Sequence, residues 1–187
     1  MAVQCESLIS SLKTGGSISV NGTCLTATKI QNDMIYFDLL EETYQVTSFS
    51  QMACEETINL ELPLKYGDRV DGHFVTGHID YSAKILNILK RGQEKEFQVE
   101  IDSGVRKFIV SKGSIALDGV SLTIGSVTER YFSVYLIPLT LEKTNLGKKI
   151  KGELLNVEVD ILARYGFLPN SNRNEISVQL LKEHGFI

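Results

Sequence analysis

Side chains able to act as nucleophile, acid or base recur at matched positions along this chain. Cys24 stands with Ser17 and Thr26, and 97 residues later Ser121 stands with Ser114 and Thr123. A thiol can add to an electron-poor carbon, whereas a hydroxyl is a weaker nucleophile that holds a ligand by hydrogen bonds. Cysteine in one copy and serine in the other therefore point to one reacting pocket and one that only binds. The competing reading of Cys24 is a small core residue, because free cysteine packs as a hydrophobe.

Residues 67–80 read GDRVDGHFVTGHID, a polar, glycine-rich stretch that carries His73 and His78, two of the three histidines. Either imidazole can move protons near neutral pH, or be a loop residue satisfied by backbone. Five residues apart on an extended chain, the two rings face opposite ways, so a shared metal ion is not expected. Lys143, Lys148, Lys149 and Lys151 could attract a phosphate, but Glu142 and Glu153 flank them, and they read as a solvated turn. No Gly-x-Gly-x-x-Gly, P-loop, His-Glu-x-x-His or nucleophile elbow occurs, which removes dehydrogenases and kinases and leaves no cofactor implied.

The elements that must position these groups come from a duplication. Gly16 to Thr26 (GSISVNGTCLT) and Gly113 to Thr123 (GSIALDGVSLT) agree at six of eleven positions. The same offset of 97 superposes Leu39 on Leu136, Thr43 on Thr140, Thr47 on Thr144, and Asn59-Leu60-Glu61 on Asn156-Val157-Glu158. A period this long marks a duplicated domain rather than a solenoid. Alternating apolar and polar residues at 17–20, 34–39 and 57–61 predict half-buried strands, and Asn21-Gly22 and Asp118-Gly119 predict tight hairpins. The expected fold is all-β, two tandem Greek-key barrels, with a sandwich as the alternative. The boundaries are residues 1–72, 73–168 and a tail at 169–187. In that tail Asn174 caps a short α-helix with Ile176, Leu180 and Leu181 on one face, ended by Gly185. Such a helix covers a barrel of its own chain or packs on another subunit.

The counterpart of Gly77 to Gln98 in the first copy falls before Met1. Either the true start lies upstream of Met1 or the strand that would close the first barrel has been lost; as written, the expectation is an unclosed first barrel that binds ligand weakly and assembles poorly. A net charge of −4 supplies no basic field for nucleic acid. Three unpaired cysteines (Cys5, Cys24, Cys54), no 20-residue apolar run and no leader-like start point to a cytoplasmic protein without a membrane anchor.

VNGTCLT with LDGVSLT, the segment GDRVDGHFVTGHID and the run IPLTLEKTNLG together resemble the riboflavin synthase family of two-barrel lumazine-binding proteins. The resemblance implies a cofactor-free dismutation. One 6,7-dimethyl-8-ribityllumazine gives four carbons to another, yielding riboflavin and 5-amino-6-ribitylaminouracil. It also implies a homotrimer in which the first barrel of one subunit faces the second barrel of its neighbour. On that resemblance Ser17, Cys24 and His78 are the catalytic candidates. The first ring would contact Cys24, Leu25, Thr26, Asp38, Leu39, Leu40, Glu41, Glu42, Thr43, Gly77, His78 and Ile79. The second would contact Lys112, Ser121, Leu122, Thr123, Ile137, Pro138, Leu139, Thr140, Leu141 and Glu142, with Asp160 nearby. Departures from the family pattern are the absent opening segment, Asp71 for Gly, Tyr81 for a small residue, Leu139 for Glu, and Thr47-Ser48-Phe49-Ser50 for Thr-Asn-Leu-Gly. The alternative within the family is a non-catalytic lumazine- or flavin-binding antenna protein.

Overall fold

A computed structural model describes residues 1–166, 178–183 and 185. The first copy contains β1 (Ala2–Gln4), β2 (Ser17–Val20), β3 (Thr23–Gln31), β4 (Met34–Phe37), α1 (Glu41–Val46) and β5 (Leu60–Glu61). The second contains β6 (Tyr81–Arg91), β7 (Glu94–Glu100), β8 (Ser114–Leu117), β9 (Val120–Val127), β10 (Tyr131–Leu136), α2 (Pro138–Lys143) and β11 (Leu154–Val159). Helices α3 (Ile161–Gly166) and α4 (Val178–Glu183) follow.

In the second copy the order β10-β7-β6-β11-β8-β9 closes into a six-stranded antiparallel barrel. The first copy forms the sheet β1-β4-β3-β2-β5. There β1 pairs with β4 as β7 pairs with β10, and β2 pairs with β5 as β8 pairs with β11. No described strand bridges β1 and β5, the place β6 fills in the second copy, so this sheet is open. The alternation read from sequence sets the cores. Ile18, Val20, Leu25, Ala27, Ile35 and Phe37 point inward in the first, and Ile115, Leu117, Phe97, Phe132 and Val157 do so in the second. Each of the larger of these side chains contributes roughly 2 kcal/mol by leaving water.

Short helices at 41–46, 138–143 and 161–166 lie among and after the strands of this all-β fold. Six residues make fewer than two turns, too few to print a 3.6-residue period. The expected strand at 34–39 ends at Phe37, and that at 57–61 is reduced to Leu60–Glu61. In the tail α4 lies inside the expected helix, whereas its proposed cap, Asn174, and Ile176 fall outside the described residues.

The two hairpin turns pack back to back. Asn21, Gly22, Asp118 and Gly119 all have positive φ (43°, 79°, 46° and 83°), as two-residue turns of this hand require. A Cβ on Gly22 would lie 2.5 Å from the Gly119 nitrogen. Around them a polar seam repeats with approximate two-fold symmetry. The Asn59 amide donates to the Asp118 carbonyl as the Asn156 amide donates to the Asn21 carbonyl, each at 2.9 Å. Backbone N–H groups of Asn145 and Ser48 donate to Oδ1 of Asn59 and Asn156, at 2.8 and 2.7 Å. The seam ties the two copies together through their hairpin turns.

Candidate functional site

On the β2–β3 hairpin Ser17 faces Thr26 and Ser19 faces Cys24. Because strand side chains alternate, Leu25 is in the core while Cys24 and Thr26 are exposed. This corrects the reading of Cys24 as a core cysteine. The Cys24 N–H donates to the Gly77 carbonyl at 2.9 Å. Gly77 has φ +83°, and a Cβ there would sit 2.5 Å from the Cys24 Cβ. Only glycine lets the linker between β5 and β6 pass this closely, which brings the backbone beside His78 up to the thiol.

From the second copy, Glu158 on β11 reaches the same stretch. Its Oε1 accepts the Thr76 N–H at 2.6 Å and the Thr76 hydroxyl at 2.8 Å, and Oε2 accepts the Gly77 N–H at 2.9 Å. Thr76 Oγ1 lies 3.1 Å from His78 Nδ1. The carboxylate is buried, so these three donors replace its water.

Ser121, the repeat mate of Cys24, receives the linker five residues earlier. Gly72 (φ +91°) crosses it so closely that any Cβ would collide with the Ser121 side chain, and His73 Nδ1 lies 2.7 Å from Ser121 Oγ. Burial lowers the His73 pKa below its ordinary value, opposed by the charges of Asp160 and Glu158. Its Nε2 is buried without a partner among the described residues. A cleft of about 380 Å³ joins these groups, with Ser17, Ser19 and Cys24 from one copy, His73 from the linker and Ser121 from the other. Glu61, Arg69 and Asp71 add charge to its wall.

The remaining candidates lie elsewhere. Asp38 is exposed, Leu39 packs on the first core, and Leu40 caps α1, whose first turn carries Glu41 and Glu42. The Thr43 carbonyl accepts the Thr47 hydroxyl at 2.7 Å, as the Thr140 carbonyl accepts the Thr144 hydroxyl. In α2 Ile137 is the cap, Pro138 the first residue and Leu139 exposed. Leu141 packs on the second core, and Glu142 meets Lys143 at 3.0 Å. These segments do not line the cleft, nor do Thr26, Thr123, Leu122 or the half-buried Ile79. Asp160 caps α3 through the Leu162 N–H at 2.9 Å. Lys112 is unusual: its φ is +67°, at the position where the first copy has Gly15 (φ +83°). A lysine held in that backbone region costs about 1 kcal/mol.

Sequence reasoning missed Thr76 and Glu158, and left open which of His73 and His78 moves protons. Glu158 did appear as the repeat mate of Glu61. Its partnership with Thr76, 82 residues away, depends on barrel closure and leaves no local signal.

The chain matches the Lumazine binding domain family over residues 1–63 and again over 76–160. It is 39% identical over 156 residues to riboflavin synthase of Escherichia coli K12, covering 83% of this chain and 73% of that protein. It is 34% identical over 192 residues to riboflavin synthase of Bacillus subtilis 168, covering 100% and 89%. Among solved structures, LumP complexed with riboflavin superposes with a TM-score of 0.79 at 26% identity, over 84% of this chain and 86% of that one. LumP complexed with 6,7-dimethyl-8-(1'-D-ribityl) lumazine gives 0.76, again at 26% identity, over 84% and 85%. A doubled lumazine-binding domain, with curated relatives of one name along its length, places this chain in the riboflavin synthase family.

Proposed function

We propose that this chain is a riboflavin synthase, converting two molecules of 6,7-dimethyl-8-ribityllumazine into riboflavin and 5-amino-6-ribitylaminouracil. The observation that carries this is the exposed Cys24 thiol, fastened through its own N–H to the linker beside His78. The ring that gives up its four carbons has an electron-poor carbon that a thiol or hydroxyl can add to, which suits Cys24 or Ser17. The ring that receives the four carbons loses a proton from its 7-methyl group, which suits His78 as base. Four carbons then pass from donor to acceptor: carbon–carbon bonds form at the acceptor's two methyl carbons, the donor's carbon–nitrogen bonds break, and the hydrogens lost from those methyls end on the nitrogens of the pyrimidine. No external oxidant or cofactor enters the balance. Orientation of two flat rings supplies much of the acceleration.

In this reading the first ring is held by Cys24 to Thr26, Asp38 to Thr43 and Gly77 to Ile79. The second is held by Lys112, Ser121 to Thr123 and Ile137 to Glu142. Two such sites meet between subunits of a cytoplasmic homotrimer, and the chain divides at residues 72 and 168.

Incubating the chain with 6,7-dimethyl-8-ribityllumazine alone should generate riboflavin, followed by absorbance and fluorescence. Tight binding of the lumazine without turnover would instead establish a binding protein, the reading favoured by the likeness to LumP. A requirement for added metal or nucleotide would overturn the cofactor-free reaction.

A further inference from the structure

We propose that Glu158 and Thr76 are positioning residues that fix the protonation site of His78, leaving its Nε2 as the bare, basic nitrogen. The functional consequence rests on the proposed role of His78 in proton transfer. The geometry stands without it.

Both oxygens of Glu158 are occupied by donors from the linker: Thr76 N–H, Thr76 hydroxyl and Gly77 N–H. A carboxylate accepts and does not donate, so the single hydroxyl proton of Thr76 is committed to Glu158. Thr76 Oγ1 then has only lone pairs to offer His78 Nδ1, 3.1 Å away. The imidazole must be the donor in that contact. A neutral ring carries one N–H, so placing it on Nδ1 strips Nε2.

Histidine in water prefers the opposite tautomer, with its proton on Nε2. The chain Glu158, Thr76, His78 therefore reverses an intrinsic preference, and a loop clamp alone would have no need to do so. The ring is exposed one residue after Gly77, whose carbonyl accepts the Cys24 N–H, and it lies outside the residues that line the cleft. When Nε2 takes a proton, the positive charge of the ring is supported through the hydroxyl to the buried carboxylate. A β11 residue thus fixes which nitrogen of a linker imidazole carries the proton. Its repeat mate Glu61 is exposed and lines the cleft instead.

The test reads the ring directly. In the ¹⁵N-labelled full chain, above the pH at which the ring titrates, His78 should show a protonated Nδ1 and an unprotonated Nε2. The signals are assigned by single His→Asn variants of His73, His78 and His184. Thr76→Val keeps the shape and both backbone bonds to Glu158 but removes the hydroxyl. It should move the proton to Nε2 and lower kcat on the order of ten- to a hundredfold. KM should stay within about twofold. Thr76→Ser keeps the hydroxyl and should preserve both tautomer and kcat. A native His78 protonated on Nε2, or a tautomer unmoved by Thr76→Val, would overturn the inference. The expected tautomers in a protein that never turns over lumazine would uphold the positioning role and remove the synthase reading instead.

Discussion

Replacing Asp118 with Asn should abolish a specific part of the pH dependence of folding. The Asp118 carboxyl is fully buried in the seam and is pushed from 3.8 up to about 6. Burial is the main cause and Glu153 adds to it, while Lys149, the Asn156 N–H and the Asn145 amide pull the other way. The folded state therefore binds this proton more tightly than the unfolded chain does. Its stabilising contribution is fully present below about 3.8 and is lost as pH rises through about 6, where ionisation leaves a desolvated anion. The difference amounts to about 3 kcal/mol, falling at about 1 kcal/mol per pH unit across the window. In Asp118→Asn the new amide nitrogen would face the Asn145 amide, which now donates to Asp118 Oδ2 at 2.8 Å, and Lys149 would lose a charge 3.8 Å away. Those losses shift the curve by a constant and do not alter its slope. Urea unfolding followed by far-UV circular dichroism, at several pH values from about 4 to 8, gives the wild-type minus variant difference. That difference should decline with pH by the stated amount. A flat difference, or one that rises with pH, would show that the carboxyl is not held protonated by burial.

Two further outcomes follow from the asymmetry of the copies. Cys24→Ala should lower turnover by on the order of a hundredfold, and Ser121→Ala by about tenfold or less, measured as riboflavin formation with folding checked by circular dichroism. Equal losses would contradict the division into reacting and binding copies. Lys112→Gly should raise stability by about 1 kcal/mol by relieving a left-handed backbone. It should also weaken lumazine binding at the second copy in fluorescence titration, whereas a lower melting temperature would mean that the lysine side chain holds the fold.

The duplication was legible because it is written in turns and alternation, both local properties. Asn21-Gly22 and Asp118-Gly119 announce hairpins within two residues, and the strands beside them keep a period of two. The short helices were not legible, since α1 and α2 are each six residues long and owe their place to the strands on either side. Cys24, Ser17 and His78 could be nominated from residue type and resemblance. What the sequence could not supply was the burial of Glu158 against Thr76, or the crossing of the linker first over Ser121 and then over Cys24. Both depend on contacts between residues about 50 to 80 positions apart.

The way the copies differ along the seam shows that their divergence is coordinated. In the first copy Asn21, Ser48 and Met52 are neutral, and the Ser48 hydroxyl is buried without a partner among the described residues. At the matching positions the second copy has Asp118, Asn145 and Lys149. Asn145 is long enough to reach both Asn21 Oδ1 at 3.2 Å and Asp118 Oδ2 at 2.8 Å. A buried carboxylate alone would cost several kcal/mol, and its two neighbours offset part of that cost. The three changes form one unit: reverting Asn145 or Lys149 singly would leave Asp118 worse solvated than either copy tolerates. The linker takes its path from a separate set of contacts, Glu158 with Thr76 and Gly77, the Gly77 carbonyl with the Cys24 N–H, and His73 with Ser121. The copies have therefore diverged at two places at once, in the polar seam between their hairpins and in the residues on which the linker rests.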